Sequence, residues 1–224
     1  MTRRRSNLLL GLVMLAAFVA FFAWQTPSIW RAPLTPAEID AYVAQIERNF
    51  VQDPDAKATF IARVRDWAAG DDGRPVLMVN LMRFRKQLAT LPEGVHFQGT
   101  PQESNELYEE QVVPLALKRG EFPIAGGDVQ ALSLTATEYG QDDWDRIVVM
   151  RAPSRRAFID FMADPVYGPA VPYKTAAAEV ALIPVDADIT VPDLRWLVGG
   201  LLLAGYFLIL WRRAERELAR SSRR

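Results

Sequence analysis

The stretch WDRIVVMRAPSRRAFIDFMADPVYGPAVPYKTAA, residues 144–177, decides the fold of this chain. Its β-branched and aliphatic opening predicts a strand over residues 144–152. Ser154 follows the strand as a helix N-cap, with aromatic residues at helical spacing behind it. Pro165 ends that helix, and residues 167–179 form a further helical stretch. The segment therefore predicts a strand that leads directly into helical structure.

Three more strands and one helix complete the pattern. The run PVLMVNLMRF, residues 75–84, is apolar at nearly every position and predicts a central strand, with Asn80 as the polar interruption in its middle. The remaining predictions are a helix over 104–117, a strand over 121–134 with a bulge or bend at Gly126-Gly127, and a last strand over 180–186. The order β-α-β-β-α-β is that of the split βαβ, ferredoxin-like arrangement, an α+β fold.

A helical lead-in precedes the first strand and occupies residues 32–74. Thr35-Pro36-Ala37-Glu38 is a capping box with proline in the first turn, which predicts a helix start. A second helix is expected over 55–69. Helices cover one face of the predicted sheet, so the other face needs a cover, commonly the sheet of a second copy. No internal repeat supplies one within the chain.

Two charge-free apolar stretches lie outside this domain. Residues 8–24 and 196–211 are each close to the length that crosses the hydrocarbon layer as a helix. Tryptophans stand at their ends, as in interfacial aromatic belts. A cleaved signal peptide is the alternative for the first stretch, although no small-x-small cleavage site follows it. A buried core helix is the alternative for the second.

The sequence thus predicts six segments and an orientation. The segments are an N-terminus (1–7), a transmembrane helix (8–24), the lead-in (32–74), the sheet domain (75–190), a transmembrane helix (195–211) and a basic tail (212–224). The net charge of −1 divides unevenly, because residues 32–193 hold 25 acidic and 15 basic residues while arginines dominate both ends. Positive flanks stay in the cytoplasm. We therefore expect both termini inside, and the central domain periplasmic or extracytoplasmic, in a bacterial inner membrane.

Composition excludes several kinds of chemistry. The chain has no cysteine and one histidine, His96, so thiol catalysis and Cys- or multi-His-ligated metal sites are excluded. It lacks the phosphate-binding glycine motifs and the zincin and serine-hydrolase motifs. The acidic central domain would repel a phosphate backbone, which argues against nucleic acid as a partner. We therefore expect no metal and no cofactor.

The order of elements and several phrases resemble a family of small bacterial domains of unknown function in the dimeric α/β-barrel superfamily. The phrases are VLMVNLMRF (76–84), YEEQVVPLALKRG (108–120) and the segment 144–177, followed by the closing strand. The resemblance covers residues 75–186. It implies a homodimer through face-to-face sheets and a pocket between sheet and helices. The superfamily includes cofactor-less monooxygenases, isomerases and haem enzymes, and Tyr173-Lys174 stands where a His-Arg pair is typical.

Candidate ligand-binding residues are few, and the catalytic residues are unknown. Asn80 is an amide within an apolar strand, and a buried amide needs partners. Arg83 is suited to a carboxylate, although a solvated strand end or an ion pair with Glu109 or Glu110 is the simpler interpretation. Three tyrosines complete the set of pocket candidates: Tyr108, Tyr167 and Tyr173.

Three functional hypotheses follow. The first is a membrane-anchored exported domain that binds a small ligand in a dimeric α/β barrel. The second is a cofactor-independent oxygenase or isomerase that uses the polarity of the same pocket. The third is a structural module that binds a partner within a membrane complex. The sequence leaves open the ligand, whether the protein is an enzyme, and whether it pairs with itself or with another protein.

Overall fold

The computed structural model describes residues 3–135, 143–187 and 193–221. The chain divides into two compact units, Pro27–Ala187 and the pair of terminal segments Met1–Thr26 and Asp188–Arg224. The elements in chain order are α1 (Arg3–Trp24), α2 (Pro36–Asn49), α3 (Pro54–Ala69), β1 (Val76–Phe84), α4 (Pro101–Lys118), β2 (Phe122–Asp128), β3 (Arg146–Ala152), α5 (Arg155–Ala163), α6 (Tyr167–Ala177), β4 (Ala178–Asp186) and α7 (Leu194–Ser221).

The four strands form one antiparallel sheet in the order β2-β3-β1-β4. The apolar strand β1 is central, as its composition predicts, and Asn80 lies opposite Val148 of β3 and Leu182 of β4. One helix connects β1 to β2, and two helices connect β3 to β4. The unit is therefore a mixed α+β structure whose strands and helices follow one another along the chain in the predicted order.

The two faces of β1 have different surroundings. Side chains alternate between faces along a strand, and the buried positions of β1 are Val76, Met78, Asn80 and Met82. Val76 and Met78 belong to the main hydrophobic core together with residues of α2, α4, α5 and α6. The intervening positions, including Arg83, are only half-buried. Asn80 and Arg83 consequently point to opposite faces of the sheet.

The lead-in helices are fastened to the domain by a buried arginine. The predicted capping box at Thr35 is present, since the Glu38 amide donates to the Thr35 hydroxyl at 3.3 Å. The Glu38 carboxylate also accepts from Arg156 of α5 at 2.5 Å, and Arg156 donates to the carbonyls of Ala32 and Pro33 at 3.3 Å. The hydrogen bond from Arg156 lowers the pKa of Glu38 to about 2. The clamp therefore stays ionised down to strongly acidic pH.

Strand β2 differs from its prediction in length and in the position of its irregularity. It ends at Asp128 instead of 134, and Leu134 is fully exposed. The register shift lies between Pro123 and Ala125, ahead of Gly126-Gly127. Proline has no N–H for the ladder, and it tolerates strand positions mainly at edges and bulges. The proline, and not the glycine pair, therefore accounts for the irregular pairing.

The terminal unit contains two helices, α1 and α7, that are long and apolar enough to cross a membrane. They pack against each other through Phe22 and Trp196, whose ring centroids lie 5.8 Å apart. Arg195 donates to the Thr26 hydroxyl at 2.9 Å, and Arg213 donates to Asn7 at 2.5 Å. The contacts of Arg195 and Trp196 pair the start of α7 with the end of α1, and Arg213 pairs the later part of α7 with the start of α1, so the two helices run antiparallel.

Helix α6 approaches the end of α2 so closely that only glycine fits. A Cβ atom on Gly168 would stand 2.1 Å from the carbonyl oxygen of Asn49, well inside the closest approach of such atoms. The Asn49 side chain also donates to the Ala163 carbonyl at 3.4 Å, just ahead of α6. The position of α6 over the sheet thus depends on its contact with the lead-in.

We predict that Gly168→Ala destabilises the protein by about 1–3 kcal/mol, because the added methyl group must displace backbone. Gly127→Ala is the matched control, since nothing lies within 4 Å of a Cβ atom at that strand position. Thermal unfolding of the full-length proteins in detergent measures both. A Gly168→Ala variant as stable as the control would contradict the close approach.

Candidate functional site

Asn80 is a buried amide with one strong partner, Lys174 of α6. Its side chain is 9% exposed and lies on the helix-covered face of β1. The Asn80 Oδ1 atom accepts a 3.0 Å hydrogen bond from the Nζ atom of Lys174. The Asn80 amide nitrogen has only a marginal 3.5 Å contact, with the Met78 carbonyl. This pair introduces polarity into an otherwise apolar layer.

Lys174 is a desolvated cation held over an aromatic ring. Its Nζ atom lies 5.0 Å from the centroid of the Tyr108 ring, within range of a cation–π contact. Burial lowers the pKa of Lys174 from 10.5 to about 8, and the negative charge of Glu109 opposes that change. An ammonium group has three donors. Such a lysine is suited to holding an anion or to exchanging a proton near neutral pH.

The three candidate tyrosines occupy different places. Tyr108 and Tyr167 are buried with ring centroids 6.5 Å apart, and burial raises the pKa of both, that of Tyr167 to about 12. Tyr173 is partly buried against Phe97, and its carbonyl accepts from Ser104. The Tyr108 ring contacts Lys174, the Tyr167 ring lies next to Tyr108, and the Tyr173 ring packs against Phe97.

Glu121 is a buried carboxyl group behind the tyrosines. It is 1% exposed, and its Oε1 atom has no hydrogen-bond partner. Burial raises the pKa of Glu121 to about 8, although the nearby Arg119 lowers it. Arg119 is itself held by Asp160 at 2.6 Å and Asp164 at 2.9 Å. At neutral pH Glu121 is therefore mostly protonated.

A polar cleft of about 400 Å³ opens at the end of β1, beside the first half of α4. Two residues of α4, Asn105 and Glu109, belong to its wall, and Asn105 donates to Glu109 at 2.8 Å. Glu109 is also the charge that acts on Lys174, so the cleft adjoins the Asn80–Lys174 pair. The other lining residues are Phe84, Arg85, Lys86, Gln102, Glu106, Asp128, Asp145 and Arg146.

Three residues that line this cleft each carry a buried side-chain atom without a hydrogen-bond partner. In the described part of the chain, four buried side-chain atoms have no hydrogen-bond partner: Arg85 Nε, Asn105 Oδ1, Glu121 Oε1 and Arg146 Nε. All except the Glu121 atom belong to residues that line the cleft. A buried polar atom without a partner costs about 1–3 kcal/mol. A bound molecule with complementary groups would remove that cost.

Arg83 lies apart from this cleft. It sits on the opposite face of β1, where it donates to Asp143 at 2.7 Å and forms a second ion pair with Glu179. Arg83 therefore forms ion pairs with Asp143 and Glu179 and not with Glu109 or Glu110, and its role in binding a ligand stays a prediction. His96 is exposed. No group of three or more metal-ligating side chains occurs among the residues that the structure describes.

Sequence reasoning did not select Lys174, Asn105 or Arg146. A signal existed for Asn105, which lies three residues before Tyr108 and seven before Val112, on the apolar stripe of α4. Lys174 was noted only as a departure from a family pattern. Arg146 carries no local signal, because its position depends on pairing opposite Met82.

Comparison with solved structures identifies a related fold without an assigned activity. RPA0582, a protein of unknown function from Rhodopseudomonas palustris, is 26% identical over 63% of this chain and 99% of its own, with a TM-score of 0.50. Its methylated form gives 29% identity over 65% of this chain and 99% of its own, again with a TM-score of 0.50. This chain and RPA0582 share the fold over nearly the whole of RPA0582.

A more distant similarity is to SnoaB, a cofactor-independent oxygenase from Streptomyces nogalater. It is 15% identical over 54% of this chain and 99% of its own, with a TM-score of 0.33. No protein-family model matches the sequence, and no curated protein matches it.

Replacing Glu121 tests the buried carboxyl group. Because folding raises its pKa from 4.5 to about 8, its stabilising effect is complete below about pH 4.5 and is lost as the pH rises through 8. We predict that Glu121→Gln gains stability relative to wild type over this window, by at most about 1.4 kcal/mol per pH unit. Chemical denaturation from pH 5 to 9 measures the effect, with the exposed Glu110→Gln as control. Parallel curves would show that Glu121 is ionised in the folded protein.

Proposed function

We propose that this protein is a membrane-anchored domain that binds a small molecule between the sheet and helices α4 and α6. The observation that carries the proposal is Asn105, which is only 3% exposed and keeps an unpartnered Oδ1 atom in the wall of the cleft. Buried amides are normally satisfied within the fold. A buried acceptor left unpartnered in a residue of the cleft wall is therefore better explained by a partner that enters the cleft.

The Asn80–Lys174 pair supports the same location. Lys174 of the pair lies over the Tyr108 ring, and the charge of Glu109, which lines the cleft, acts on it. Ligand pockets commonly combine an apolar body with a few converging polar groups, some with shifted pKa values. The described cleft has a mainly polar lining, and this favours a polar ligand.

We further propose that the unit from Pro27 to Ala187 is a ferredoxin-like domain that forms a dimeric α/β barrel. The strand order β2-β3-β1-β4 and the helical connections support this assignment. The face of the sheet opposite Asn80 includes Leu77, Val79 and Leu81 of β1 and the exposed Ile147 of β3. A second copy of the chain, packed face to face, would cover these apolar side chains.

A cofactor-independent isomerase or oxygenase is the second candidate function. The observation that favours it is the pKa of Lys174, lowered by burial to about 8. At pH 7 a fraction of such lysines is neutral and can accept a proton from a bound substrate. In this alternative the cleft binds the same ligand and Lys174 moves its proton.

The proposed location is a bacterial inner membrane, with α1 and α7 as the spans and the sheet domain outside the cytoplasm. Both spans carry their arginine clusters at the chain ends. We predict that alkaline phosphatase is active when fused after Asp40 and inactive when fused after Arg224, because it folds only outside the cytoplasm. Activity of the Arg224 fusion would contradict two spans with cytoplasmic ends.

Ligand binding is tested on the full-length protein extracted in mild detergent. We predict that mass spectrometry of the denatured preparation detects a small molecule in near-stoichiometric amount. Asn105→Leu and Lys174→Met should each reduce it about tenfold or more, because each removes a buried polar contact of about 1.4 kcal/mol or more. Glu110→Gln, exposed on the same helix, is the control. Equal amounts in all variants, or no such molecule, would overturn the proposal.

A further inference from the structure

Three arginines surround the end of β1, and they differ in how many donors are used. Arg83 forms close ion pairs with Asp143 and Glu179. Arg85 reaches Glu179 only at 3.4 Å, and Arg146 reaches Asp128 only at 3.8 Å. The Nε atoms of Arg85 and Arg146 are buried and unpartnered. These two arginines, which line the cleft, therefore retain donors in the fork geometry that matches a carboxylate.

Sheet register places Arg146 near the inner polar pair. It lies opposite Met82, whereas Asn80 lies opposite Val148, so Arg146 and Asn80 are diagonal neighbours on one sheet face. Such neighbours are about 7–8 Å apart. Lys174 is hydrogen-bonded to Asn80. Two cationic side chains, Arg146 of β3 and Lys174 of α6, thus lie near the same short stretch of β1.

Two of the four acidic residues that line the cleft accept hydrogen bonds from the protein itself. Asp145 accepts from the backbone N–H of Phe84 at 2.6 Å, and Glu109 accepts from Asn105 at 2.8 Å. Asp128 and Glu106 are exposed. Four carboxylates beside three cationic side chains would disfavour a doubly charged phosphate more than a singly charged carboxylate.

The side chain of Asn105 adds a second requirement for the ligand. Its amide nitrogen is used by Glu109, and its Oδ1 atom is free to accept. A ligand that satisfies this atom must carry an O–H or N–H donor. Phe84 provides apolar surface in the wall of the cleft.

We infer that the ligand of this cleft is a small organic carboxylic acid bearing a hydroxyl or amino group. Its carboxylate binds Arg85 and Arg146, and its donor binds the Oδ1 atom of Asn105. The inference rests on the proposed function, that the cleft binds a small molecule, and adds the chemical class.

The test uses the full-length protein in detergent and three probes of nearly equal shape: 4-hydroxybenzoate, its neutral amide 4-hydroxybenzamide, and benzoate, which lacks the hydroxyl group. Saturation-transfer NMR and calorimetry measure binding. We expect 4-hydroxybenzoate to bind at least tenfold more tightly than the amide, a difference of about 1.4 kcal/mol. Benzoate should bind several-fold more weakly than 4-hydroxybenzoate.

Variants assign each preference to its residue. Arg146→Gln and, independently, Arg85→Gln should reduce or abolish the preference for the acid over the amide. Asn105→Leu should abolish the preference for 4-hydroxybenzoate over benzoate. Arg65→Gln is the control, because Arg65 pairs with Asp40 on the exposed lead-in helices and should change nothing. Thermal unfolding of each variant confirms that it is folded.

The outcomes separate the two levels of inference. Equal binding of acid and amide, both weakened by Asn105→Leu, would overturn the carboxylic-acid class and leave the small-molecule cleft standing. Failure of every probe to bind at millimolar concentration would overturn the class as well. The absence of any co-purifying molecule, or equal amounts of it in all variants, would overturn the proposed function itself.

Discussion

A single hydrogen bond, from the ammonium of Lys174 to the amide oxygen of Asn80, joins the helix layer to the centre of the sheet. Each group would be costly in an apolar layer without the other, since one brings a desolvated charge and the other an amide. Together they form a polar pair inside an otherwise apolar core. The Tyr108 ring, the Glu109 carboxylate and the cleft beyond them are arranged around this pair.

Helix α4 supplies the side chains that lie next to the Asn80–Lys174 pair. The capping box at Thr100 starts the helix, with the Glu103 amide donating to the Thr100 hydroxyl at 3.2 Å. Once the start is fixed, helical spacing brings Asn105, Tyr108 and Glu109 to neighbouring positions on one side. The side toward the sheet thus carries an aromatic ring between two polar groups. A change in where the helix begins would rotate all three away from Lys174.

The parts of the molecule that were predictable from sequence are those set by local physics. The nearly continuous apolar run of β1 predicted its central place, and the cap at Thr35 gave the start of α2, because both depend on residues a few positions apart. Lys174 and Asn80 are 94 residues apart, and nothing local links them. The assignment of Arg146 to the cleft depends on strand register. The placement of Arg83 was partly predictable. It is three positions after Asn80 in the same strand, and an odd number of positions puts two side chains on opposite faces.

The clamp between Arg156 and Glu38 has a mechanical consequence if the chain ahead of it is pulled. Arg156 holds the carboxylate at the start of α2 and also the carbonyls of Ala32 and Pro33. Tension applied to the chain ahead of residue 32 would load these bonds together and pass into α5. Bonds that break only together resist force better than bonds that open one after another. The lead-in would consequently move as one body with the sheet domain under load, and would not peel away as an elastic linker.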